Sequence, residues 1–452
     1  MKSIHLDREF VQSWLLSKLP RLVDVKLFDD VGLVYEVLLA KMELLTWLDD
    51  LKEFRRRTAY FEEVEGEKSY HYFISDIKGK GQIGRTSQYL THWYYPYKAK
   101  FHPQMVKAII NWMGLKRGEV LLDPFVGSGT ALIEAKTIGV NSIGIDIDPV
   151  CILQSRVKCD ILDVPVEELE AVPRERAFEF FERRRRAETT FAQFSASEEL
   201  AAEWDLSSDR RVYEFYLLTY LYALSDYTYV KRDLWVGFNK NLDGILDTLR
   251  KWSELKERLS FHLGEVRTEV GDARNLNLPS ESVDGIITSP PYSIAVDYIK
   301  QDMHAFNYLG INPDDLSKNL IGLRGKGDDR IKNYQVDMRA AFEEMHRVLK
   351  PKRRCAVIIG DVTYKERLPI KDWFIHYAKD VGFEVEGIIR RPILGGYARL
   401  RYEYILMFRK VCKEDKKGDR EASRLLCESE HPYGPCRGYQ KSVPVPHAIL
   451  RR

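Results

Sequence analysis

The apolar run Val120-Leu121-Leu122 stops at Asp123-Pro124 and passes through Phe125-Val126 into Gly127-Ser128-Gly129-Thr130. A helical stretch from Ala131 to Ile138 follows, and then Ser142-Ile143-Gly144-Ile145-Asp146. Strand, glycine loop, helix and strand in this order make a βαβ unit. Further strands are expected at Val266–Val270, Val283–Thr288, Cys355–Ile359, Phe383–Ile389 and Tyr402–Phe408. Strands that alternate with helices predict an α/β fold, a doubly wound and mostly parallel sheet of seven strands. The last two strands are separated by a turn at Gly395-Gly396 and can be antiparallel.

The rest of the 452 residues is arranged around that sheet. Residues 1–85 read as a helical arm, since Val31, Val34, Leu38, Met42, Leu45 and Leu48 recur at steps of three or four. Residues 86–159 hold the βαβ unit, and 261–410 the remaining strands. Between them, 160–260 is too long for an ordinary connection and reads as a mostly helical insertion. The polar tail, 411–452, is expected to be loosely ordered. Lys and Arg total 70 against 68 for Asp and Glu, a net charge of +2. That balance excludes a wholly basic chromatin-type protein and an acidic solvating chain. With 44% hydrophobic and 12% aromatic residues the chain can bury a large core. It opens without the apolar segment of a signal peptide, and no run reaches the ~18 apolar residues of a membrane span. A cytoplasmic protein without a membrane partner is expected. Six irregularly placed cysteines argue against a disulfide scaffold.

The glycine loop leaves a strand at the end where α/β sheets bind ligands. Asp146 lies seventeen residues beyond Gly129, at the end of the next strand, where a carboxylate can accept hydrogen bonds from two ribose hydroxyls. The third glycine of a dinucleotide fingerprint is absent, because position 132 is Leu, and no Lys follows Gly129 as in a P-loop. A nucleoside cofactor without phosphate, such as S-adenosylmethionine, fits better than a pyrophosphate one. A glycine turn capped by Asp is the plainer alternative. The second constellation is Thr288-Ser289-Pro290-Pro291-Tyr292, after the strand at 283–287. Two prolines stiffen the backbone and hold the preceding residue extended. A polar acceptor, a rigid carbonyl and an aromatic plate suit the exocyclic amino group of a flat base.

Together, Asp-Pro-Phe-x-Gly-Ser-Gly-Thr and Ser-Pro-Pro-Tyr resemble the S-adenosylmethionine-dependent amino-methyltransferases that modify bases in nucleic acid, and most closely their cytosine-N4 branch. Tyr97-x-Ala99-Lys100-Phe101-x-Pro103, Gly271-Asp272-Ala273 and Leu349-Lys350-Pro351 are similar to other segments of that family. The resemblance implies a class I methyltransferase-like sheet with an antiparallel terminal strand. It implies that Tyr97 and Phe101 help bind the cofactor and that Asp123, with Pro124, organises the glycine loop. Phe125, Gly127, Gly129 and Thr130 would shape the pocket, Asp146 would bind the ribose and Asp272 the adenine. Ser289 and the carbonyl of Pro290, which Pro291 holds rigid, would accept from the target amine, with Tyr292 stacked on the base. No metal is required. Site-specific DNA cytosine-N4 methylation, of the kind paired with restriction enzymes, is the reaction implied. Ribosomal RNA cytidine-N4 and DNA adenine-N6 methylation are the alternatives. A non-catalytic nucleic-acid-binding relative and a nicotinamide oxidoreductase are disfavoured by the intact motif set.

Three basic segments are candidates for the nucleic acid. Arg174, Arg176 and Arg183–Arg186 lie in the insertion, with Arg183 and Arg184 as the chosen contacts. Lys231 and Arg232 lie near Tyr227, Tyr229, Trp235 and Phe238, a mixture suited to phosphate neutralisation and stacking. Arg324 and Lys326 belong to a loop after the Ser-Pro-Pro-Tyr motif. All three are expected along one side of the Ser289–Tyr292 pocket. The plainer reading of Arg183–Arg186 is a solvated helix face among Glu179, Glu182 and Glu188. Tyr397, Arg399 and Arg401 are a further candidate. Cys412, Cys427, His431 and Cys436 lack the paired Cys-x-x-Cys of a zinc site. Oligomeric state is not legible.

Overall fold

The computed structural model describes residues 54–57, 60–64, 67–68, 77, 89–97, 100, 102–186, 203–259, 262–291, 298–360, 362–364, 366–392 and 402–411. Phe101, Tyr292, the Tyr397–Arg401 candidate and the cysteines of the tail lie outside them, as does most of the N-terminal arm. The described part of that arm departs from the helical expectation. β1 (Phe54–Arg57), β2 (Tyr60–Val64) and β3 (Glu67–Lys68) form an antiparallel sheet. Its backbone register sets Arg55 opposite Glu63 and Glu63 opposite Lys68.

The main sheet follows. In chain order come α1 (Pro103–Met113), β4 (Val120–Asp123), α2 (Thr130–Thr137), β5 (Asn141–Asp146) and α3 (Pro149–Asp160). The insertion contributes α4 (Val166–Glu170), α5 (Arg174–Arg186), α6 (Arg210–Ser225), a π-helical turn (Asp226–Val230) and α7 (Leu234–Leu259). Then come β6 (Val266–Val270), β7 (Val283–Thr288), α8 (Tyr298–Leu309), α9 (Pro313–Asn319), α10 (Gly327–Val348) and β8 (Leu349–Gly360). β9 (Val362–Tyr364) and β10 (Glu366–Leu368) pair as a small hairpin, and α11 (Ile370–Val381), β11 (Phe383–Pro392) and β12 (Tyr402–Lys410) close the series.

The seven strands lie in the order β11-β12-β8-β7-β4-β5-β6. From β6 to β8 every pairing is parallel, whereas β12 runs antiparallel to both β8 and β11. This is the class I methyltransferase arrangement. The chain winds outward from β4 in one direction through β5 and β6, then returns beside β4 as β7. The crevice where that order reverses, at the carboxyl ends of β4 and β7, is where such sheets bind ligands. β7 is buried along its whole length, as a central parallel strand must be.

β8 begins six residues before the expected strand, at Leu349. The charged stretch Lys350-Pro351-Lys352-Arg353 reads as loop, but Asp284 at the start of β7 holds it. Lys350 Nζ lies 2.8 Å and Arg353 Nη2 3.1 Å from Asp284 Oδ1, while the Val120 amide donates to Asp284 Oδ2 at 3.1 Å. One buried carboxylate thus ties three strands together at the end opposite the crevice.

The insertion shares its core with the sheet domain. Its apolar side chains form one cluster with Tyr89–Tyr95, α3 and α8. Tyr94 donates to the Phe215 carbonyl at 2.9 Å, and Arg156 on α3 pairs with Glu214 on α6 at 2.8 Å. Among the described residues no helix is long and apolar enough to cross a membrane.

Gly144 marks the tightest packing below the glycine loop. A Cβ there would stand 2.6 Å from Leu132 Cδ1 and 2.7 Å from Val126 Cγ2. Gly144→Ala is therefore expected to cost about 1–3 kcal/mol through overpacking, read as a lower thermal unfolding midpoint.

Candidate active site

The crevice is an open cleft of about 590 Å³, counting the solvent at its mouth. Tyr97, Pro124, Phe125, Asp146, Asp272, Ser289 and Pro291 line it, so both sequence constellations meet there. Pro290 is buried beside them, whereas Gly129 and Thr130 stand behind the wall at the start of α2. The wall also contains residues that the sequence did not single out: Ile147, Asp148 and Cys151 on one side, and Asn319, Leu320 and Ile321 on the other.

Asp123 joins the two motifs. Its Oδ1 accepts from the Thr288 hydroxyl at 2.8 Å and from the Phe125 amide at 3.1 Å. Thr288 is the last residue of β7 and Ser289 follows it, so this carboxylate fixes the glycine loop relative to Ser289. Its Oδ2 is buried without a hydrogen-bond partner among the described residues. Burial raises its pKa to about 7, against the two hydrogen bonds, and nearby Asp146 adds to the rise. Thr288 stands first in the second constellation of the sequence, but its bond to Asp123 has no sequence signal.

Asp146 orders the other side of the loop. Its Oδ2 accepts from the Gly127 amide at 2.9 Å and its Oδ1 from the Asp148 amide at 3.0 Å. Each oxygen keeps a lone pair for a ligand hydroxyl. Burial raises this group to about 6, against the amides of Asp148, Gly127 and Ile147. Asp148 caps α3 by accepting from the Val150 amide at 2.8 Å, and burial lifts it well above the usual carboxylate range. Below the loop, Lys158 is fully buried and donates to the Ser128 carbonyl at 3.3 Å.

Gly127 has φ +48°, and a Cβ on it would lie 2.9 Å from the Tyr97 hydroxyl. Tyr97 therefore lies directly on the loop. Its segment is pinned from below: Tyr89 donates to Glu134 Oε1 at 2.7 Å, and His92 Nε2 meets the same oxygen at 2.8 Å. The expected cofactor carries a sulfonium, an ammonium and a ribose. A cradle open only to glycine, an unpartnered buried carboxylate oxygen and a cleft edged by Asp146, Asp148 and Asp272 fit such a group.

Asp272 arrives already engaged. Arg274 grips it with Nε at 2.9 and 3.0 Å from its two oxygens and Nη2 at 2.6 Å from Oδ2. Burial alone would raise the Asp272 carboxyl, but the bonds from Arg274 hold it below its ordinary value. Arg274 also reaches Asp337 Oδ1 at 2.9 Å and the Asn319 carbonyl at 2.9 Å, so it braces the far wall. Neither its position two residues after Asp272 nor that of Asp337 carried a sequence signal.

The basic segments do not line the cleft as expected. Arg324 pairs with Asp337 at 2.5 Å and so joins the Arg274 network. Arg185 and Arg186 both bind Glu182, at 2.6 and 3.0 Å, and Tyr220 donates to it at 2.7 Å. Burial would raise Glu182, but bonds from Arg185, Tyr220 and Arg186 bring it down to about 2. Arg183 donates to the Glu179 carbonyl at 3.3 Å, and the field of Arg184 acts on the buried hydroxyls of Tyr213 and Tyr308. Two of the four arginines in the last turn of α5 are thus paired with an acid of their own helix, while Arg183 is exposed, and all four complement the helix dipole. Arg232 pairs with Asp226, and Phe238 is core, packed with Trp235 and Phe178. Lys231 and Lys326 remain exposed.

Residues 50–155 and 283–432 match the family described as DNA methylase. The Type II methyltransferase M.BsoBI of Geobacillus stearothermophilus is 26% identical over 304 residues, 56% of this chain and 60% of that protein. The chain thus spans less than two thirds of that relative. A tRNA (guanine(10)-N2)-dimethyltransferase of Methanothermobacter thermautotrophicus is 42% identical over 52 residues, 12% of this chain and 16% of that one. A SAM-dependent methyltransferase structure from Methanosarcina mazei overlays 66% of this chain and 95% of its own, at 11% identity and a TM-score of 0.30.

Two expectations follow. Gly127→Ala forces a side chain into a left-handed conformation and against Tyr97. It should raise the calorimetric Kd for S-adenosylmethionine about tenfold or more, at a strain of ~1–3 kcal/mol. The second concerns pH. Asp123 and Asp146, with values of about 7 and about 6, are largely protonated near pH 5 and must ionise to face a cation. Cofactor affinity should therefore rise with pH and level off above about pH 8. Affinity that falls over that range would contradict the assignment.

Proposed function

From the premise that the chain belongs to the DNA methylase family of N6/N4 amino-methyltransferases, we propose that it methylates N4 of cytosine at a defined site in DNA. Its cofactor is S-adenosylmethionine, which supplies a methyl group made electrophilic by a sulfonium. Tyr97, Phe125, Asp146 and Asp272 would hold it across the cleft, on a loop shaped by Gly127 and Gly129 and ordered by Asp123.

One observation supports the cytosine reading above all. Ser289, where the adenine branch more often carries Asp or Asn, lies at the end of β7 and lines the cleft opposite Asp146. The cytosine amine is a weak nucleophile because its lone pair is delocalised into the ring. The Ser289 hydroxyl and the Pro290 carbonyl are acceptors in a fixed direction. Hydrogen bonds to them favour a pyramidal nitrogen and stabilise the positive charge it gains. Pro290 and Pro291 remove the backbone freedom that would blur that direction. Tyr292 would stack on the base, so that orientation supplies much of the acceleration. The proton shed by the methylated nitrogen passes to water. A target within a duplex must first be unstacked and turned outward, at ~ a few kcal/mol.

Arg183, Lys231 and Lys326 are exposed cations of the three basic segments that would meet phosphate. Because M.BsoBI is a Type II methyltransferase, pairing with a restriction nuclease is part of the proposal. The match to a tRNA methyltransferase favours RNA as the second reading, although over a short stretch.

The decisive experiment transfers labelled methyl to duplex DNA, single-stranded DNA and ribosomal RNA in parallel, with the nucleosides identified by mass spectrometry. N4-methylcytosine in DNA is expected. N6-methyladenine as the sole product would overturn the role given to Ser289. Tyr292→Ala should reduce transfer about a hundredfold or more while leaving cofactor affinity nearly unchanged. An equal loss of both would remove the tyrosine from the base site.

A further inference from the structure

Seven large apolar side chains are well exposed among the described residues, and Tyr227, Tyr229, Val230 and Val236 are four of them. Such a concentration within ten residues marks a surface made to meet something. It coincides with the π-helical turn Asp226–Val230, and Lys231 after it takes a left-handed conformation with φ +61°. Single π-turns within helices often stand at functional sites.

The turn is fixed close to the cleft. Tyr229 donates to the Lys300 carbonyl at 3.0 Å, and its ring stands edge-on to His304 with centroids 5.6 Å apart. Both partners belong to α8, the helix that follows the Ser289–Pro291 loop. His304 Nε2 in turn meets the Tyr95 hydroxyl at 3.0 Å, and Gln301 donates to the Pro96 carbonyl at 3.4 Å. Pro96 adjoins Tyr97, which forms the cleft wall. Tyr229 thus serves as an anchor, which leaves Tyr227 and Val230 facing solvent, 49% and 60% exposed.

Around the ledge the exposed lysines Lys231 and Lys240 outnumber the one exposed carboxylate, Asp233. Asp226 is bound by Arg232, and Asp233 accepts from the Val236 amide at 3.0 Å as it caps α7. Lys231 spends one donor on the Thr228 carbonyl at 2.9 Å and retains two, and Lys240 is exposed one turn beyond Val236. Aromatic and apolar surface between lysines suits a nucleic-acid strand, whose bases stack and whose phosphates are neutralised. A protein partner would gain little from the lysines.

We propose that the Tyr227–Val230 ledge receives the strand next to the target base, with Tyr227 and Val230 against the neighbouring bases and Lys231 and Lys240 on its phosphates. The inference rests on the nucleic-acid reading above and assigns it a surface. The test uses the full chain, a fluorescein-labelled mixed-sequence single-stranded DNA and its duplex, with binding followed by anisotropy over a salt series. Labelled S-adenosylmethionine monitors the integrity of each variant. Tyr227→Ala with Val230→Ser should weaken DNA binding about tenfold with an unchanged salt slope and unchanged cofactor affinity. Lys231→Ala with Lys240→Ala should instead flatten the slope by about one to two. Wild-type affinity in the first variant overturns the proposal. So does a wild-type dimer, seen by sedimentation, that this variant dissociates, since the ledge would then join two copies. If the wild type binds and methylates no nucleic acid at all, the proposed function itself fails. Binding by the wild type with no loss in the variants defeats only the ledge.

Discussion

A single desolvated carboxylate holds the two halves of this site in register. Asp123 ends β4 and accepts the hydroxyl of Thr288, which ends β7, although 165 residues separate them. Parallel strands side by side bring their carboxyl ends together, but the pairing alone leaves the loops beyond them loosely aimed. The Asp123–Thr288 bond supplies the missing constraint, since the glycine loop starts on one partner and the Ser-Pro-Pro segment on the other. Ionising Asp123 there has a cost, because burial favours the neutral acid and one oxygen has no hydrogen-bond partner among the described residues. A cationic ligand relieves that strain. On the proposed assignment the loop is thus prepared for a cation, and cofactor binding and base positioning would depend on the same residue.

Further layers of support follow from this constraint. Asp146 and Lys158 hold the loop from two sides, through the Gly127 amide and the Ser128 carbonyl. Arg274 links Asp272 to Asp337 and the Asn319 carbonyl, so the wall at 319–321 is braced through the residue proposed to meet the adenine. The insertion contributes packing as well as surface. Its aromatic core is continuous with Tyr89–Tyr95, the segment that leads into Tyr97, and with α8.

The near-zero net charge acquires a sharper meaning. Much of the charge is consumed internally: by Asp284 with Lys350 and Arg353, by Glu182 with Arg185 and Arg186, and by Asp337 with Arg274 and Arg324. Within the arginine run at 183–186, two of the four are therefore bound by an acid of the same helix. The central strands and the glycine loop were legible, because apolar runs ending at Asp123 and Thr288 and the helix between Gly129 and Asp146 are local signals. The opening of β8 was not, since Lys350 and Arg353 belong in a strand only once Asp284 is beside them. The bracing role of Arg274 and the bond made by Thr288 were not legible for the same reason: Asp337 and Asp123 come from distant segments. In the arm, β1 and β2 pair through a register that helical spacing cannot reveal. Tyr227 and Phe238 looked alike among basic residues, and only packing separates the exposed ring from the buried one.

The Asp123–Thr288 link can be measured directly with a double-mutant cycle on single-turnover methyl transfer to DNA. The four proteins are the wild type, Asp123→Asn, Thr288→Val and the double variant. If the bond sets the register of the site, each single change slows transfer and the double variant is little slower than the worse single, a coupling of about 1–3 kcal/mol. Losses that simply add, with no coupling, would show that the two residues act independently and would contradict the account.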